Sequence, residues 1–222
     1  MDVKIKIQQY SKALPASTTL VAVSKTKPNS LILEAYDHGH RDFGENKVQE
    51  ICKKNQELPD DIKWHFVGHL QRNKVKLIVP FIHLIHSVDS IRLMDSIEKE
   101  ASKIDRRINI LLQLHIAKEE SKFGFDYDMI NDLITDGIFN KYKFLSFKGL
   151  MGMATNTSSI GQVREEFSAL KSFYDFLRKK EIPNFEFLHL SMGMSGDYKV
   201  ALEEGSNMVR IGSDIFGARN YG

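Results

Sequence analysis

The chain has 222 residues, and its acidic and basic side chains nearly cancel, leaving a formal net charge of +2. This length can bury the core of one α/β domain or barrel. The charge balance excludes a strong general attraction to nucleic acid or anionic membranes. No stretch approaches the roughly 20 apolar residues that span a bilayer, and the N-terminus has no apolar signal core. Cys52, the single cysteine, fits a reducing cytosol. We therefore predict a cytoplasmic protein that binds neither nucleic acid nor membrane.

Short apolar runs alternate along the chain with segments of helical spacing. Strand–helix alternation predicts a parallel sheet, because parallel neighbours need crossover connections. Eight such units predict a single (β/α)8 barrel domain over residues 1–222. A doubly wound open sheet is the alternative. The runs lie at about 20–24, 41–43, 63–67, 82–87, 108–114, 144–150, 185–190 and 207–211.

Three of the intervening segments carry clear helix signals. Apolar residues recur every three or four positions over 159–179, where Ser159 and Gln162 fit a capping box. Asp89 is the predicted cap of a second helix. Gly137 is the predicted end of a third helix, which begins near residue 127.

Lys25 is the most informative single residue, since it ends the apolar run that begins at Leu20. Lysine is rarely buried without a reason, because its charge is costly to desolvate. Burial and nearby cations favour the free, nucleophilic amine. The alternative is a side chain that extends from the strand end into solvent.

Two polar loops follow the last two predicted strands, where barrel enzymes often bind phosphate. Both loops combine hydroxyls with glycine, and both lead into predicted helices, whose N-termini attract anions. Helix capping by the serines is the alternative. The candidate phosphate ligands are Ser191, Ser195, Gly212 and Ser213.

Arg210 lies at the end of the last predicted strand, next to the strand of Lys25 in a closed barrel. Its guanidinium would bind a phosphate or cofactor, or would pair with an interior carboxylate. A lysine amine beside a phosphate site and a fixed cation predicts a phosphate-bearing aldehyde held as a Schiff base. Pyridoxal 5′-phosphate fits this description.

The remaining polar candidates are less specific. Asn46 follows the second predicted strand, where it would bond a ligand hydroxyl or cap a helix. His65 and His69 have the spacing of a helical metal site, but their segment is predicted as strand and loop with no third ligand nearby. We therefore predict no metal site, and expect His65 to stack on a cofactor or to pack inside the barrel. His83 and His86 are interpreted as structural.

Eight segments together resemble the pyridoxal phosphate homeostasis protein family over essentially the whole chain. Each motif alone is weak, but their common order is highly specific. Three of the segments are Val23-Ser24-Lys25-Thr26-Lys27-Pro28, Trp64-His65-Phe66-Val67-Gly68-His69-Leu70-Gln71-Arg72-Asn73-Lys74 and Val209-Arg210-Ile211-Gly212, and the others lie at 43–46, 86–90, 119–124, 149–151 and 190–195.

The resemblance implies a fold-type III barrel, similar to the barrel domain of bacterial alanine racemase. It implies pyridoxal phosphate on Lys25, phosphate ligands in the two polar loops, and Arg210 facing the pyridine nitrogen. One departure is His115, where the family pattern has asparagine, and it affects only a contact expected at strand five.

The resemblance also implies a carrier that limits the free reactive aldehyde and supplies it to apo-enzymes. We expect a monomer, because a barrel with no extra domain can stand alone. Racemisation needs proton-transfer groups on both faces of a substrate. In the racemase the tyrosine opposite the lysine comes from another domain, and the spacing of Tyr36 and Tyr221 does not support a substitute. A cation beside the pyridine nitrogen also disfavours its protonation and so weakens the ring as an electron sink. The alternatives are a weak amino-acid racemase and a lysine Schiff-base aldolase acting on a sugar phosphate without a cofactor.

Overall fold

The computed structural model describes residues 2–119 and 123–218. Eight parallel strands close into a barrel in sequence order, with helices between them. The predicted (β/α)8 barrel is confirmed, and the open-sheet alternative is wrong. The strands are β1 Thr19–Val23, β2 Asp42–Glu45, β3 Lys63–Phe66, β4 Leu84–Val88, β5 Ile108–Leu114, β6 Leu145–Gly152, β7 Phe185–Met194 and β8 Met208–Ile211. The helices are α1 Val3–Ala13, α2 Asn29–Asp37, α3 Val48–Glu57, α4 Val75–Ile78, α5 Ile91–Ser102, α6 Tyr127–Thr135, α7 Ile160–Arg178, α8 Tyr198–Glu203 and α9 Ser213–Phe216.

The strands bury most of both faces, as expected for a barrel surrounded by helices, although the first half of β7 is partly exposed, with Leu188 at 51%. Successive side chains alternate between the barrel interior and the layer beneath the helices. Five apolar side chains from five different strands form a small cluster inside the barrel: Val21, Leu84, Leu111, Met151 and Met208. The outward faces join the helices in one large apolar layer. This alternation brings Arg210, two residues after Met208, to the barrel interior.

The capping predictions are partly confirmed. Ser159 caps α7 by accepting a hydrogen bond from the Gln162 backbone N–H, but the Gln162 side chain donates to Glu166 instead of returning to Ser159. The predicted cap of α5 is wrong. Ser90, not Asp89, is the capping residue, because the Ser90 hydroxyl accepts from Leu93 N–H at 3.3 Å. The third helix, α6, ends just before Gly137, as predicted.

Strand β7 is longer than predicted. The sequence pattern placed its end near residue 190, but it continues to Met194 and still pairs with β8 there, as Met194 lies beside Arg210. A shift in register between Ser191 and Met194 accommodates Gly193, whose φ of +95° suits glycine. The prediction that Ser191 lies in a loop is therefore wrong, since it is fully buried within the strand.

Helix α1 precedes the barrel and connects to its last helix. Asp2 caps it, and the Tyr10 hydroxyl donates a 2.8 Å hydrogen bond to the Asp214 carboxylate in α9. This bond fixes α9, which begins at the polar loop after β8. None of the described helices has both the length and the apolar character needed to cross a membrane.

Candidate functional site

A cavity of about 320 Å³ lies at the C-terminal ends of the strands. It brings together six of the residues predicted from the sequence, which come from four separate segments of the chain. These six are Lys25, Asn46, Ser195, Arg210, Gly212 and Ser213. Two further predicted residues, His65 and Ser191, are not among the described residues that line it. The cavity wall is completed by apolar side chains that include Val23, Val67 and Met153.

The polar loops after β7 and β8 meet at one side of the cavity. The Ser213 hydroxyl lies 3.4 Å from the Ser195 hydroxyl. Gly212 packs directly on β1, since an added Cβ would lie 3.1 Å from the Val23 carbonyl oxygen. Two hydroxyls beside the first turn of α9, whose leading N–H groups have no partner within the helix, suit an anion.

Arg210 provides a fixed cation at the cavity wall, with only 4% of its surface exposed. Its guanidinium donates to the backbone oxygen and hydroxyl of Ser191 at 2.8 and 2.7 Å, and to the Gly152 carbonyl at 3.1 Å. Burial lowers the pKa of Arg210 to about 10, so the group remains protonated at neutral pH. The contacts with Ser191 and Gly152 hold its orientation.

Lys25 lies two residues beyond the end of β1, after Ser24, and is half-buried. The residues on either side of it are both tied to acidic side chains. The Ser24 hydroxyl donates to Glu45 at 2.6 Å, and the Thr26 backbone N–H donates to Glu50 at 2.6 Å. Thr26 has a φ of +64°, a left-handed conformation that costs energy in threonine. The hydrogen bond to Glu50 supports this conformation and so helps to position Lys25.

Lys54 connects these acidic groups from helix α3. Its ammonium donates to Glu45 at 2.7 Å, to Glu50 at 2.6 Å and to the Ser24 carbonyl at 2.9 Å, although the residue is only 5% exposed. Burial raises the pKa of Glu45, while the ammonium acts in the opposite direction. Sequence reasoning missed this network. Its one signal was the four-residue spacing of Glu50 and Lys54 on a helix.

Asn46 presents an unused acceptor beside the cavity. Its side-chain oxygen is buried and has no hydrogen-bond partner within residues 2–119 and 123–218. The loop after β3 packs closely against the backbone of Asn46, because an added Cβ on Gly68 would lie 2.4 Å from the Asn46 backbone carbonyl oxygen. A buried acceptor without a partner is costly unless a ligand satisfies it.

A chain of buried polar groups runs from the cavity through the barrel to its opposite end. The Ser191 hydroxyl lies 3.0 Å from His86 Nδ1, His86 Nε2 lies 2.9 Å from His65 Nδ1, and His65 Nε2 lies 3.0 Å from the Asp42 carboxylate. Burial holds the pKa of His86 well below its usual value. His65 therefore packs inside the barrel, one of the two arrangements predicted for it, and contacts Arg210 only through His86 and Ser191.

The hydrogen bonds of this chain have one consistent direction when each imidazole carries one proton. Arg210 can only donate and an ionised Asp42 can only accept. Ser191 therefore accepts from Arg210 and donates to His86, which donates to His65, which donates to Asp42. The interior is thus an ordered polar path between a cation and a carboxylate.

Several other candidates lie away from the cavity. His69 stacks on Phe123 with ring centroids 4.3 Å apart and lies 3.2 Å from the Asp89 carboxylate. His115 lies 2.9 Å from the Glu119 carbonyl oxygen. Tyr36 donates to Asp61 at 2.6 Å. Tyr221 lies outside the described residues, as do residues 120–122 of the resemblance segment 119–124.

Known proteins match this chain over nearly its whole length. A family profile described as "Alanine racemase, N-terminal domain" matches residues 3–220. A pyridoxal phosphate homeostasis protein of Aquifex aeolicus is 38% identical over 203 residues, covering 91% of this chain and 87% of the relative. The human protein of the same name is 38% identical over 226 residues, covering 97% of this chain and 82% of the relative. This chain belongs to the pyridoxal phosphate homeostasis protein family.

Solved structures agree with this membership. PipY of Synechococcus elongatus PCC7942, solved with pyridoxal phosphate bound, superposes with a TM-score of 0.88 at 32% identity, covering 97% of this chain and all of that one. An alanine racemase of Clostridium difficile 630 superposes with a TM-score of 0.77 at 10% identity. That match covers 98% of this chain but 56% of the racemase, and it shows the shared barrel fold.

Proposed function

We propose that this protein binds pyridoxal phosphate in the cavity and serves in pyridoxal phosphate homeostasis, holding the cofactor on Lys25 and releasing it. The observation that carries the proposal is the convergence of a lysine, a buried arginine and two serine hydroxyls on one cavity of about 320 Å³. The names of the relatives and the ligand of PipY support the same cofactor.

The residues present fit this group. When bound, pyridoxal phosphate supplies an aldehyde that condenses reversibly with an amine and releases water. Lys25 supplies the amine, and the unpartnered Asn46 oxygen suits a ligand hydroxyl donor. Ser195, Ser213 and the open backbone at Gly212 suit the phosphate. Ser191 and His65 act indirectly, by holding Arg210 in place.

The same residues support a carrier more strongly than a racemase. Arg210 is protonated at neutral pH, and its charge disfavours a second positive charge beside it. No tyrosine is found among the described residues that line the cavity, so a second proton-transfer group of the racemase kind is not evident there.

Transfer to apo-enzymes completes the proposal, with the carrier acting as a cytoplasmic monomer. Light scattering would then give a mass near 25.5 kDa. Incubation of the loaded protein with an apo-enzyme that depends on pyridoxal phosphate would restore the activity of that enzyme. A dimer mass would contradict the monomer, and a lack of restored activity would contradict transfer to apo-enzymes. Neither result would contradict cofactor binding.

The decisive experiment is a visible absorbance spectrum with added pyridoxal phosphate, recorded before and after borohydride. Wild-type protein should show a yellow band that bleaches on reduction, and peptide mass mapping should find the reduced pyridoxyl group on Lys25. Lys25→Ala should show no such band, because no other amine has the same position.

Lys27→Ala is the matched control. Lys27 also lines the cavity, but its ammonium donates to the Ala218 carbonyl at 2.6 Å. This variant should keep the yellow band. A wild-type protein that stays colourless with added pyridoxal phosphate would overturn the proposal and favour the cofactor-free aldolase.

A further inference from the structure

A second cluster of chemically active side chains lies at the end of the barrel opposite the cavity. Asp42 begins β2, His65 lies in β3, and His83 directly precedes β4. The three strands are neighbours in the barrel, and one ligand atom from each residue lies within 4.8 Å of the other two. His65 Nε2 and the Asp42 carboxylate are already 3.0 Å apart.

Two imidazole nitrogens and one carboxylate oxygen form a ligand set that suits zinc and related transition metals. Zinc bonds of 2.0–2.2 Å in a tetrahedral site separate ligand atoms by ~3.3 Å. Small side-chain rotations would therefore bring all three atoms to one ion. Calcium and magnesium prefer oxygen ligands and match this set poorly.

The surroundings of the cluster prepare these atoms for coordination. His65 Nδ1 lies 2.9 Å from His86 Nε2, and a metal-binding histidine usually uses its second nitrogen in this way to fix its ring. The other ring nitrogen, His65 Nε2, faces the Asp42 carboxylate at 3.0 Å.

The cluster is also accessible from solvent. The Asp42 side chain is 23% exposed and His83 is half-buried, whereas His65 is almost fully covered. An ion can thus enter from the N-terminal end of the barrel without passing through the cavity. Water would occupy the remaining coordination position on the exposed side.

We propose that Asp42, His65 and His83 form a mononuclear site for a divalent metal of the zinc class. The sequence alone predicts no such site, because His65 and His69 lie in a segment predicted as strand and loop with no third ligand nearby. The ligands come instead from β2, β3 and the residue before β4, which are adjacent only in the folded barrel.

Coordination has a consequence for the interior chain. A metal on His65 Nε2 requires the tautomer that carries the single ring proton on Nδ1, so this proton moves from Nε2 to Nδ1 by exchange with water and then donates to His86. His86 then carries its own proton on Nδ1 and donates to Ser191. The two histidine hydrogen bonds reverse their direction, and Ser191 accepts from both His86 and Arg210.

Calorimetric titration with zinc chloride tests the site, using tag-free protein that has been stripped with EDTA. Wild type should bind one equivalent, and Asp42→Asn and His83→Ala should each weaken binding at least tenfold. His38→Ala is the matched control, since His38 is an exposed histidine on α2 and should leave binding unchanged. No cofactor is needed, so failure here is distinguishable from failure of the proposed function.

Imidazole ¹⁵N spectra provide a second readout that binding to surface histidines would not change. Zinc should convert His65 from the Nε2–H to the Nδ1–H form, and His86 likewise. His83→Ala, which leaves the His65–Asp42 contact in place, keeps the test valid if Asp42→Asn does not fold. Absence of zinc binding, equal binding in all variants, or unchanged tautomers would overturn the proposal.

Discussion

At the scale of one residue, Lys54 shows how a side chain that does not line the cavity supports the site. A buried ammonium with three oxygen partners is stable only because all of its donors are used. The carboxylate of Glu45 depends on it in turn, since this side chain is fully buried. Lys54 and Glu45 therefore stabilise the backbone around Lys25 only when both are present.

Replacing Lys54 with methionine should destabilise the protein by about 3–5 kcal/mol, because the substitution leaves the Glu45 carboxylate buried without a cation. Urea unfolding measures the change in the free energy of unfolding. Lys53→Met is the control, because that side chain is 74% exposed and its loss should cost less than about 0.5 kcal/mol. The double variant with Glu45→Gln should recover part of the loss. A single-variant loss under about 1 kcal/mol would contradict the proposed support.

The residues proposed to bind the cofactor directly were largely predictable, and those proposed to act through another residue were not. Lys25, Asn46 and Arg210 each follow or end a strand, and the ends of barrel strands converge. His65 was expected either at a cofactor or inside the barrel, and only the register of β3 decides between these positions. Ser191 resembled a loop residue because glycine and serine follow it.

At the scale of elements, α1 and α9 act together. Helix α9 has only four residues, so it gains little stability from its own hydrogen bonds. The Tyr10–Asp214 bond attaches it to α1, which packs on both α2 and α9. Gly212 and the start of α9 at Ser213 therefore depend on a helix from the other end of the chain.

Tyr10→Phe should weaken pyridoxal phosphate binding several-fold, because a lost hydrogen bond worth about 1 kcal/mol loosens α9 beside the phosphate loop. Fluorescence titration with the cofactor measures the dissociation constant. Tyr36→Phe removes a comparable hydroxyl–carboxylate bond at Asp61, away from the cavity, and should leave affinity unchanged. Equal affinity of Tyr10→Phe and wild type would show that α9 holds its position without α1.

Elements with a long apolar repeat were predicted correctly, whereas features that depend on local backbone geometry were not. The 19 residues of α7 repeat their apolar positions through five turns, so their assignment was secure. The extension of β7 past Ser191 could not be read in this way, because a shift in register between β7 and β8 permits a strand through Gly193. The capping residue of α5 differed by one position, because Asp89 and Ser90 are both typical capping residues and only the local backbone decides between them.

For the whole molecule, several histidines buried in or near the barrel predict sensitivity to mild acid. Burial lowers the pKa of His40, His83, His86 and His189. Below about pH 6.5, the unfolded chain therefore binds protons that the folded chain does not bind. The contribution of these histidines to the free energy of unfolding is fully present above that pH. It decreases as the pH falls, by up to about 1.4 kcal/mol per pH unit for each additional proton that the unfolded chain binds.

Urea unfolding between pH 7 and pH 5 in the presence of EDTA measures this slope. Most carboxylates remain ionised in that range, so histidines dominate the change. His189→Leu should reduce the slope, whereas His38→Ala, which removes an exposed imidazole, should not. A free energy of unfolding that is constant over this range would contradict the expected proton uptake.

The hydrogen-bonded groups from Arg210 to Asp42 make the two ends of the barrel depend on one another. This dependence should also constrain how the two ends evolve. Arg210 carries a positive charge and Asp42 a negative one, and the groups between them are neutral when each ring has one proton. A descendant that loses the carboxylate alone leaves the His65 Nε2–H without its acceptor, and one that loses the arginine alone leaves the buried Ser191 hydroxyl without its donor. Inherited changes at positions 42 and 210 should therefore accumulate together, although the two residues never touch.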